Sequence, residues 1–232
     1  MGKLIATIVA VLVVVIGGVW LFFNFANGGT SSDTASSTSL GSIGLVSSTT
    51  PVQTQTGTAS STTTNTNKPT MNATQATLHT SMGDITIAFY PDQAPKTVAN
   101  FIKLASSGFY DSVKFHRVIQ GFMDQVGDPL TKDDSKMAQW GTGGPGYTIA
   151  DEFGTTHPNV AGSVAMANTG QPNSGGSQFF INAVDNHFLD GKYTVFGHVT
   201  AGMNVVTAIN NTPVDSSDRP LTPVVLTSIT LK

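Results

Sequence analysis

The chain begins with one long apolar segment, residues 4–23, which contains no charged side chain. At a rise of about 1.5 Å per residue, a helix of this length would cross the hydrocarbon core of a bilayer. Lys3 precedes the segment, and because basic residues favour the cytoplasmic side, everything after Phe25 is predicted to lie outside the membrane. We therefore predict an N-terminal transmembrane anchor or signal segment at residues 1–27.

Two interpretations of this apolar segment remain open. A cleaved signal peptide has an apolar core of about 7–15 residues followed by a cleavage site with small residues. Here the apolar core is longer and ends in bulky side chains such as Trp20, Phe22 and Phe23, which favours an uncleaved anchor. We expect a single-pass protein of the cell membrane whose folded domain is extracytoplasmic, and a secreted protein if the segment is cleaved.

Residues 28–76 form a second region, in which about half of the side chains are Ser or Thr and none is aromatic. Asp33 and Lys68 are its charged residues. Such a composition cannot bury enough apolar surface to offset the entropy lost on ordering. We predict a disordered, flexible linker between the apolar segment and the domain that follows.

The remaining residues, 77–232, are enough for one hydrophobic core, and they mostly show the period of two that is typical of strands. Residues 76–80 and 84–89 alternate in polarity on either side of Met82-Gly83, which predicts a β-hairpin. Short apolar runs separated by glycine-rich turns indicate a mainly β domain, either a barrel or a sandwich.

Two helices are predicted within this β-rich domain. Residues 95–106 begin with a proline, carry apolar side chains at helical spacing from Val98 to Ala105, and are followed by Gly108. A second, shorter helix is predicted around residues 203–209.

Composition narrows the chemistry of the domain. The net charge is −3, so there is no excess of basic residues to neutralise phosphates and nucleic-acid binding is not expected. The absence of cysteine excludes disulfides, thiol nucleophiles and cysteine-type zinc sites. The histidines lack the spacing of metal ligands, so we do not expect a metal site. They are His79, His116, His157, His187 and His198.

Four local patterns remain, and they occur in a fixed order along the domain. They are FHRVIQGFMDQ at 115–125, AMAN at 165–168, SGGSQFFI at 174–181 and FLDGKYTVFG at 188–197. Together they resemble the cyclophilin family of peptidyl-prolyl cis-trans isomerases. The resemblance covers essentially all of residues 77–232, which we therefore predict to be a cyclophilin-like domain.

The resemblance implies a closed barrel of eight antiparallel strands capped by two α-helices. Because side chains fill the interior of such a barrel, peptides would bind in a groove on its outer wall. It also implies an enzyme that isomerises X-Pro bonds without a cofactor. The implied partners are proline-containing segments of unfolded or exported proteins, and the catalytic domain is expected to be monomeric.

The resemblance also assigns roles to individual residues. Arg117 matches the catalytic arginine, and Gln125 matches a polar residue that orients both the substrate and this arginine. Neighbouring residues on a strand point to opposite faces, so Phe179 and Phe180 cannot both lie inside, and the resemblance places Phe180 outside. The substrate-binding positions are Phe122, Met123, Ala167, Asn168, Gln178, Phe180, Phe188, Leu189 and Tyr193. The backbone and side chain at Ala167 and Asn168 would hold the extended peptide.

The sequence departs from the family pattern at three places. Phe188 stands where many eukaryotic members have Trp, which we expect to weaken inhibitors of the cyclosporin type. Tyr193 stands where many members have His. The loop at residues 128–140 is longer than the usual glycine-rich connection.

Two functions are consistent with these observations. The first is a membrane-tethered prolyl isomerase that assists the folding of exported proteins, and the second is a non-catalytic module that binds proline-containing peptides. Arg117, Gln125 and Asn168 match the family pattern, which favours the enzyme. A surface-attachment protein that uses the Ser/Thr-rich stalk is a weaker third possibility.

Overall fold

A computed structural model describes residues 73–154 and 156–232 of the chain. The predicted anchor at 1–27 and all but the last residues of the predicted linker at 28–76 lie outside this range. Within the described residues, no helix has the length and apolar character needed to cross a bilayer. The first strand begins at Gln75, slightly before the boundary predicted from composition.

The described residues contain nine β-strands, two α-helices and three short 3-10 helices. The strands are β1 (Gln75–Thr80), β2 (Gly83–Phe89), β3 (Val113–Lys114), β4 (Arg117–Ile119), β5 (Met123–Val126), β6 (Ser163–Met166), β7 (Phe179–Asn182), β8 (Thr194–Ala201) and β9 (Val225–Leu231). The α-helices are α1 (Pro95–Ser106) and α2 (Met203–Asn210). The 3-10 helices span Pro129–Lys132, Asp134–Gln139 and His187–Leu189.

All nine strands belong to one curled antiparallel sheet, with the order β3-β9-β1-β2-β8-β6-β7-β5-β4. The predicted hairpin is confirmed, because β1 pairs with β2 from Gln75 opposite Ala88 to Thr80 opposite Gly83. Gly83 has a φ of 126°, a conformation that L side chains rarely adopt, so glycine suits this turn.

The expectation of eight strands in a closed barrel is wrong in its strand count and closure. The two outermost strands of the sheet, β3 and β4, are consecutive in sequence and are separated by Phe115 and His116. The Phe115 N–H donates to Val224 beside β9, whereas the His116 N–H donates to Gln125 on β5. The chain therefore changes its hydrogen-bonding partner between these two residues, so the segment forms two short edge strands.

Both predicted helices are confirmed. Helix α1 starts with Pro95, where the missing N–H costs nothing, and its next two N–H groups donate to the carboxylate of Glu152 at 2.8–3.0 Å. This distant carboxylate takes the place of a local N-cap, since Ala94 has no side-chain acceptor. Helix α2 begins after Gly202 and ends at Asn210.

The main hydrophobic core lies between the sheet and the two helices. Phe101 of α1 is at its centre, with ring centroids 5.2–5.5 Å from those of Phe89, Tyr110, Phe179 and Phe196. Such edge-on and tilted aromatic contacts add to the stability given by apolar burial. The core thus occupies one face of the sheet and leaves the other face free for a second cluster.

Candidate active site

A row of directly opposed residues crosses the outer face of the sheet from a charged to an apolar side chain. Arg117 on β4 pairs with Gln125 on β5, and Gln125 pairs with Phe180 on β7. The row continues through Ala165 on β6 to Val195 on β8. Opposed side chains in antiparallel strands share one face, with Cβ atoms about 4.5–5.5 Å apart. Arg117 is therefore two strands away from the apolar part of the row.

Phe179 and Phe180 show how β7 divides its side chains between the two faces. Phe179 belongs to the main core, where its ring centroid lies 5.4 Å from that of Phe101. Phe180 is also buried, but it belongs to a separate cluster on the opposite face with Met123 and Leu189. This arrangement follows from the alternation of a strand and agrees with the predicted outward position of Phe180.

The second cluster brings together side chains from five strands and one 3-10 helix. Its buried members are Met123, Ala165, Phe180, Leu189 and Val195, and its partly buried members are Tyr90, Ile119, Phe122, Ala167 and Tyr193. The sequence-based set of apolar site residues is thus largely assembled in one place. Sequence reasoning missed Ala165 and Val195, although their signal was available in the strand alternation, since Ala165 lies two positions before Ala167.

Two aromatic contacts form the rim of this cluster. Phe188 stacks on Phe122 with ring centroids 5.6 Å apart, and 62% of its surface remains exposed. The ring of Tyr193 meets that of Phe180 edge-on, with centroids 5.4 Å apart. Exposed aromatic side chains beside an apolar cluster are typical of a binding surface.

Arg117 lies at the edge of the cluster with 42% of its side chain exposed. Its Nε is 3.9 Å from the Oδ2 of Asp218, a loose ion pair between two partly exposed groups. Asp218 reaches this position because its carbonyl accepts a hydrogen bond from the Val118 N–H at 2.8 Å. Sequence reasoning did not find Asp218, which is distant in the chain and carries no local signal of the contact.

Gln125 is held by hydrogen bonds that lead away from Arg117. Its Nε2 donates to the Oε1 of Gln178 at 2.9 Å, and the Gln178 Nε2 donates to the carbonyls of Gly141 and Gly143 at 2.9 and 2.8 Å. That Gln125 orients the substrate and Arg117 stays a prediction, and in this structure its Nε2 is engaged with Gln178. The two predicted glutamines therefore form one unit that is attached to the glycine-rich segment directly after the loop at 128–140.

The Asp128 side chain holds this glycine-rich segment in place. Its side chain is fully buried, and its carboxylate accepts hydrogen bonds from the N–H groups of Leu130, Gly141 and Gly143. A carboxylate with several backbone donors is strongly stabilised and fixes the geometry around it. The sequence analysis named Asp128 only as the start of the long loop, and not as the anchor of the segment that holds Gln178.

Ala167 and Asn168 each make hydrogen bonds within the protein. The Ala167 N–H donates to the Gln178 carbonyl at 2.9 Å, and the Asn168 side chain donates to the Lys192 carbonyl at 2.9 Å. The Asn168 Oδ1 accepts from the Gly170 N–H, so this amide is engaged inside the protein. The backbone N–H and C=O of Asn168 form no hydrogen bond with another described residue, which leaves them available to an extended peptide.

Two buried titratable groups lie next to the site on the inner face. Burial lowers the pKa of His116, against the opposing effect of the Asp128 carboxylate, so His116 is neutral near pH 7. Its two ring nitrogens have no hydrogen-bond partner within the described chain. Burial raises the pKa of Asp124 to about 7, and the hydrogen bond from Asn210 opposes this shift. Because His116 is neutral near pH 7, the positive charge at this edge of the cluster comes from Arg117, which stays protonated at any working pH.

Comparison with known proteins identifies the family. A family model described as cyclophilin type peptidyl-prolyl cis-trans isomerase/CLD matches residues 75–231. The chain belongs to this family. The match covers all nine strands and both α-helices of the described residues.

Two bacterial relatives of this cyclophilin are named peptidyl-prolyl cis-trans isomerases. The peptidyl-prolyl cis-trans isomerase A of Mycobacterium tuberculosis is 46% identical over 187 residues, which cover 72% of this chain and 96% of the relative. The peptidyl-prolyl cis-trans isomerase B of Streptomyces anulatus is 45% identical over 179 residues, covering 68% of this chain and 95% of the relative.

A solved structure supports the fold. The crystal structure of a cyclophilin type peptidyl-prolyl cis-trans isomerase from Cryptosporidium parvum matches with a TM-score of 0.63 at 31% identity. It covers 69% of this chain and 98% of that protein. The chain is therefore a cyclophilin-type peptidyl-prolyl cis-trans isomerase, an enzyme that acts on proline-containing peptides. Within the described residues, no group of three or more His, Asp or Glu side chains is arranged to hold a metal ion.

Proposed function

We propose that this cyclophilin isomerises X-Pro bonds by holding the proline ring in the second cluster while Arg117 stabilises the twisted amide. The observation that supports this proposal is the strand register that aligns Arg117, Gln125 and Phe180 on one face. The proposal assigns Arg117 as the catalytic residue and the apolar cluster as the site that binds proline.

The reaction needs no covalent step. Rotation about a peptide C–N bond has a barrier of about 18–20 kcal/mol because the bond has partial double-bond character. The cis and trans forms of an X-Pro bond differ by only about 0.5–1 kcal/mol, yet they exchange over tens of seconds or longer. A catalyst therefore has to bind the twisted amide more tightly than either planar form.

Arg117 has the chemistry that the twisted amide requires. When the amide twists, the prolyl nitrogen loses conjugation and becomes a better hydrogen-bond acceptor. The guanidinium stays charged at every working pH and carries its N–H donors in a fixed planar arrangement. An apolar neighbourhood screens this charge less than water does, which strengthens the interaction in the transition state.

The second cluster supplies the grip on the proline ring. Phe122, Met123, Phe180 and Leu189 lie together on the outer face and offer apolar surface without charge. If the ring is held there, rotation moves the residue that precedes proline. The free backbone N–H and C=O of Asn168 would hold the rest of the peptide in an extended conformation.

A related structure supports peptide binding of this kind. The Cryptosporidium parvum cyclophilin was also solved in the presence of the dipeptide Ala-Pro, and that structure matches this chain with a TM-score of 0.62 at 31% identity. By analogy, we expect short X-Pro peptides to bind this protein.

The experiment that tests the site uses the full-length protein and a short Ala-Pro peptide in NMR exchange spectroscopy. We expect the protein to accelerate cis–trans exchange, and the methyl signals of Met123 and Leu189 to shift on peptide binding. The Leu221 methyl signals should stay unchanged, because Leu221 is exposed and belongs to neither hydrophobic cluster. Shifts confined to residues outside the second cluster would contradict the proposed site.

We further propose that the enzyme is tethered to the cell membrane and acts outside the cytoplasm on exported proteins. The support is the uncharged apolar segment at residues 4–23 and the Ser/Thr-rich region that follows it. The intact mass of the mature protein in a membrane fraction should correspond to the uncleaved chain, and added protease should digest the domain in intact cells. If the mature protein is soluble and lacks residues 1–27, the segment is a cleaved signal and the proposed tether is wrong.

A further inference from the structure

A cavity of about 320 Å³ lies immediately beside the candidate active site. It shares Asn168 and Tyr193 with that site, and Phe153, Pro172 and Lys192 are also part of its lining. Tyr193 packs against Phe180 in a T-shaped contact and also lines the cavity, so the apolar cluster and the cavity share this side chain. A peptide that follows Asn168 away from the cluster would therefore pass the mouth of the cavity.

The surface of the cavity is mainly apolar. Phe153 remains 46% exposed there, although burial of a large aromatic side chain is favourable. Pro172 and the ring of Tyr193 add further apolar surface. Exposed apolar groups that line one cavity favour the binding of an apolar ligand group, because binding removes their apolar surface from water.

The two charged residues of the cavity are already engaged by the protein. The Lys192 Nζ donates to the Phe188 carbonyl at 3.0 Å, and the Asp151 Oδ2 accepts from the Asn173 N–H at 2.7 Å. The Asp151 N–H in turn donates to the Asn173 Oδ1 at 3.0 Å. Both side chains are therefore held in place by hydrogen bonds within the protein.

The rim of the cavity is also fixed before any ligand arrives. The Asn168 amide bridges the Lys192 carbonyl and the Gly170 N–H at 2.9 Å each. The Thr169 N–H donates to the Ser174 Oγ at 3.0 Å, which closes the loop on itself. A pocket that is formed in advance loses little entropy when it binds a ligand.

We propose that this cavity is a specificity subsite for a large apolar side chain, aromatic or branched aliphatic, of a residue that flanks the proline. The proposal rests on the proposed function, since it extends the same peptide site. The volume lies at the low end of the range of about 300–1,000 Å³ that is usual for ligand pockets. It therefore suits one side chain of a bound peptide better than a separate small molecule.

The test compares peptides that contain one Ala-Pro bond and carry Phe, Leu, Lys, Asp or Gly in the flanking positions. With the full-length protein, NMR exchange gives kcat/KM, and titration gives Kd, for each peptide. At one flanking position, we expect the Phe and Leu peptides to exceed the Gly peptide by about tenfold, the low end of the discrimination given by an apolar pocket. The Lys and Asp peptides should not exceed the Gly peptide.

Two variants assign any preference to the cavity. Phe153→Ser should reduce the ratio between the Phe and Gly peptides to near one. Leu221→Ser removes another exposed apolar side chain, outside this cavity, and should leave the ratio as in the wild type. Equal values for all peptides, a preference for Lys or Asp, or an unchanged ratio in Phe153→Ser would overturn the proposal.

The two proposals fail in different ways. If the wild type accelerates no peptide, the isomerase mechanism fails, and the Kd ratios still decide the subsite. If all peptides are isomerised equally well and bind with equal Kd, the subsite fails while the mechanism stands.

Discussion

Gln125 lies directly opposite Arg117 on the neighbouring strand, but its side-chain amide donates to Gln178 at 2.9 Å and makes no hydrogen bond with the arginine. Arg117 is thus positioned by the backbone register and by its loose ion pair with Asp218. Gln125 is instead connected through Gln178 to the loop that Asp128 anchors. The position of Gln125 beside the arginine therefore depends on the conformation of this loop.

Gly143→Ala should disturb the loop that holds Gln178. A Cβ atom at Gly143 would collide with the Asp128 carboxylate, so the loop or the buried carboxylate would have to move. We expect a loss of about 1–3 kcal/mol in the free energy of unfolding, as for other overpacked sites, and a lower kcat/KM. Urea denaturation and peptide exchange measure the two effects.

Gly144→Ala is the matched control for that variant. A Cβ atom at Gly144 would meet no other atom within 4 Å, and its backbone does not require glycine. Stability should be unchanged or slightly higher, because alanine reduces the entropy of the unfolded chain. Equal behaviour of the two variants would show that the Asp128–Gly143 contact does not support the site.

Asp124 should make the stability of the domain depend on pH. Its pKa is raised by burial to about 7 from an ordinary value of 3.8, so between these values the folded state holds a proton that the unfolded state has lost. Stability therefore falls as pH rises through this window, with a slope of up to about 1.4 kcal/mol per pH unit. Above the folded-state pKa the loss is complete.

Asp124→Asn isolates this contribution. The asparagine can still accept the hydrogen bond from Asn210 Nδ2, which reaches Asp124 at 2.8 Å, but it does not titrate. In urea denaturation from pH 5 to 8, the difference in unfolding free energy between the variant and the wild type should grow with pH. A difference that stays constant across this range would mean that Asp124 has an ordinary pKa in the folded protein.

Phe188→Trp should strengthen inhibition by compounds of the cyclosporin type. Phe188 is largely exposed and stacks on Phe122, so a larger ring can be accommodated there. The indole adds aromatic surface and an N–H donor that phenylalanine lacks. A net hydrogen bond of about 0.5–1.5 kcal/mol corresponds to a severalfold lower inhibition constant.

Phe188→Leu is the companion variant for the inhibitor experiment. It keeps an apolar side chain but removes the stacked ring, so inhibition should be no stronger than in the wild type. Inhibition constants that are equal for Phe, Trp and Leu at this position would remove residue 188 from the inhibitor site.

Local pattern was sufficient to predict the elements that depend on local contacts. The β1–β2 hairpin follows from alternation around a glycine turn, and α1 follows from its proline start and apolar spacing. The outward position of Phe180 follows from alternation once Phe179 is placed in the core. The remaining apolar site residues came from the motifs of the family.

Contacts between distant segments could not be predicted in this way. The change of partner between Phe115 and His116 depends on Val224 and Gln125, which lie on different strands. The Arg117–Asp218 pair also joins distant segments. Such contacts form only when the chain has folded, and they cannot be predicted from the polarity of residues that are neighbours in sequence.

The most direct test of the mechanism is the rate of cis–trans exchange in an Ala-Pro peptide with Arg117→Ala. We expect kcat/KM to fall by at least about a hundredfold, as when a single preorganised donor is removed, while circular dichroism stays native. Arg117→Lys should recover only part of the activity, because it keeps the charge but loses the planar arrangement of donors. Arg219→Ala, which removes the other arginine of the chain, should retain activity near that of the wild type. An exchange rate close to wild type in a natively folded Arg117→Ala protein would contradict the account.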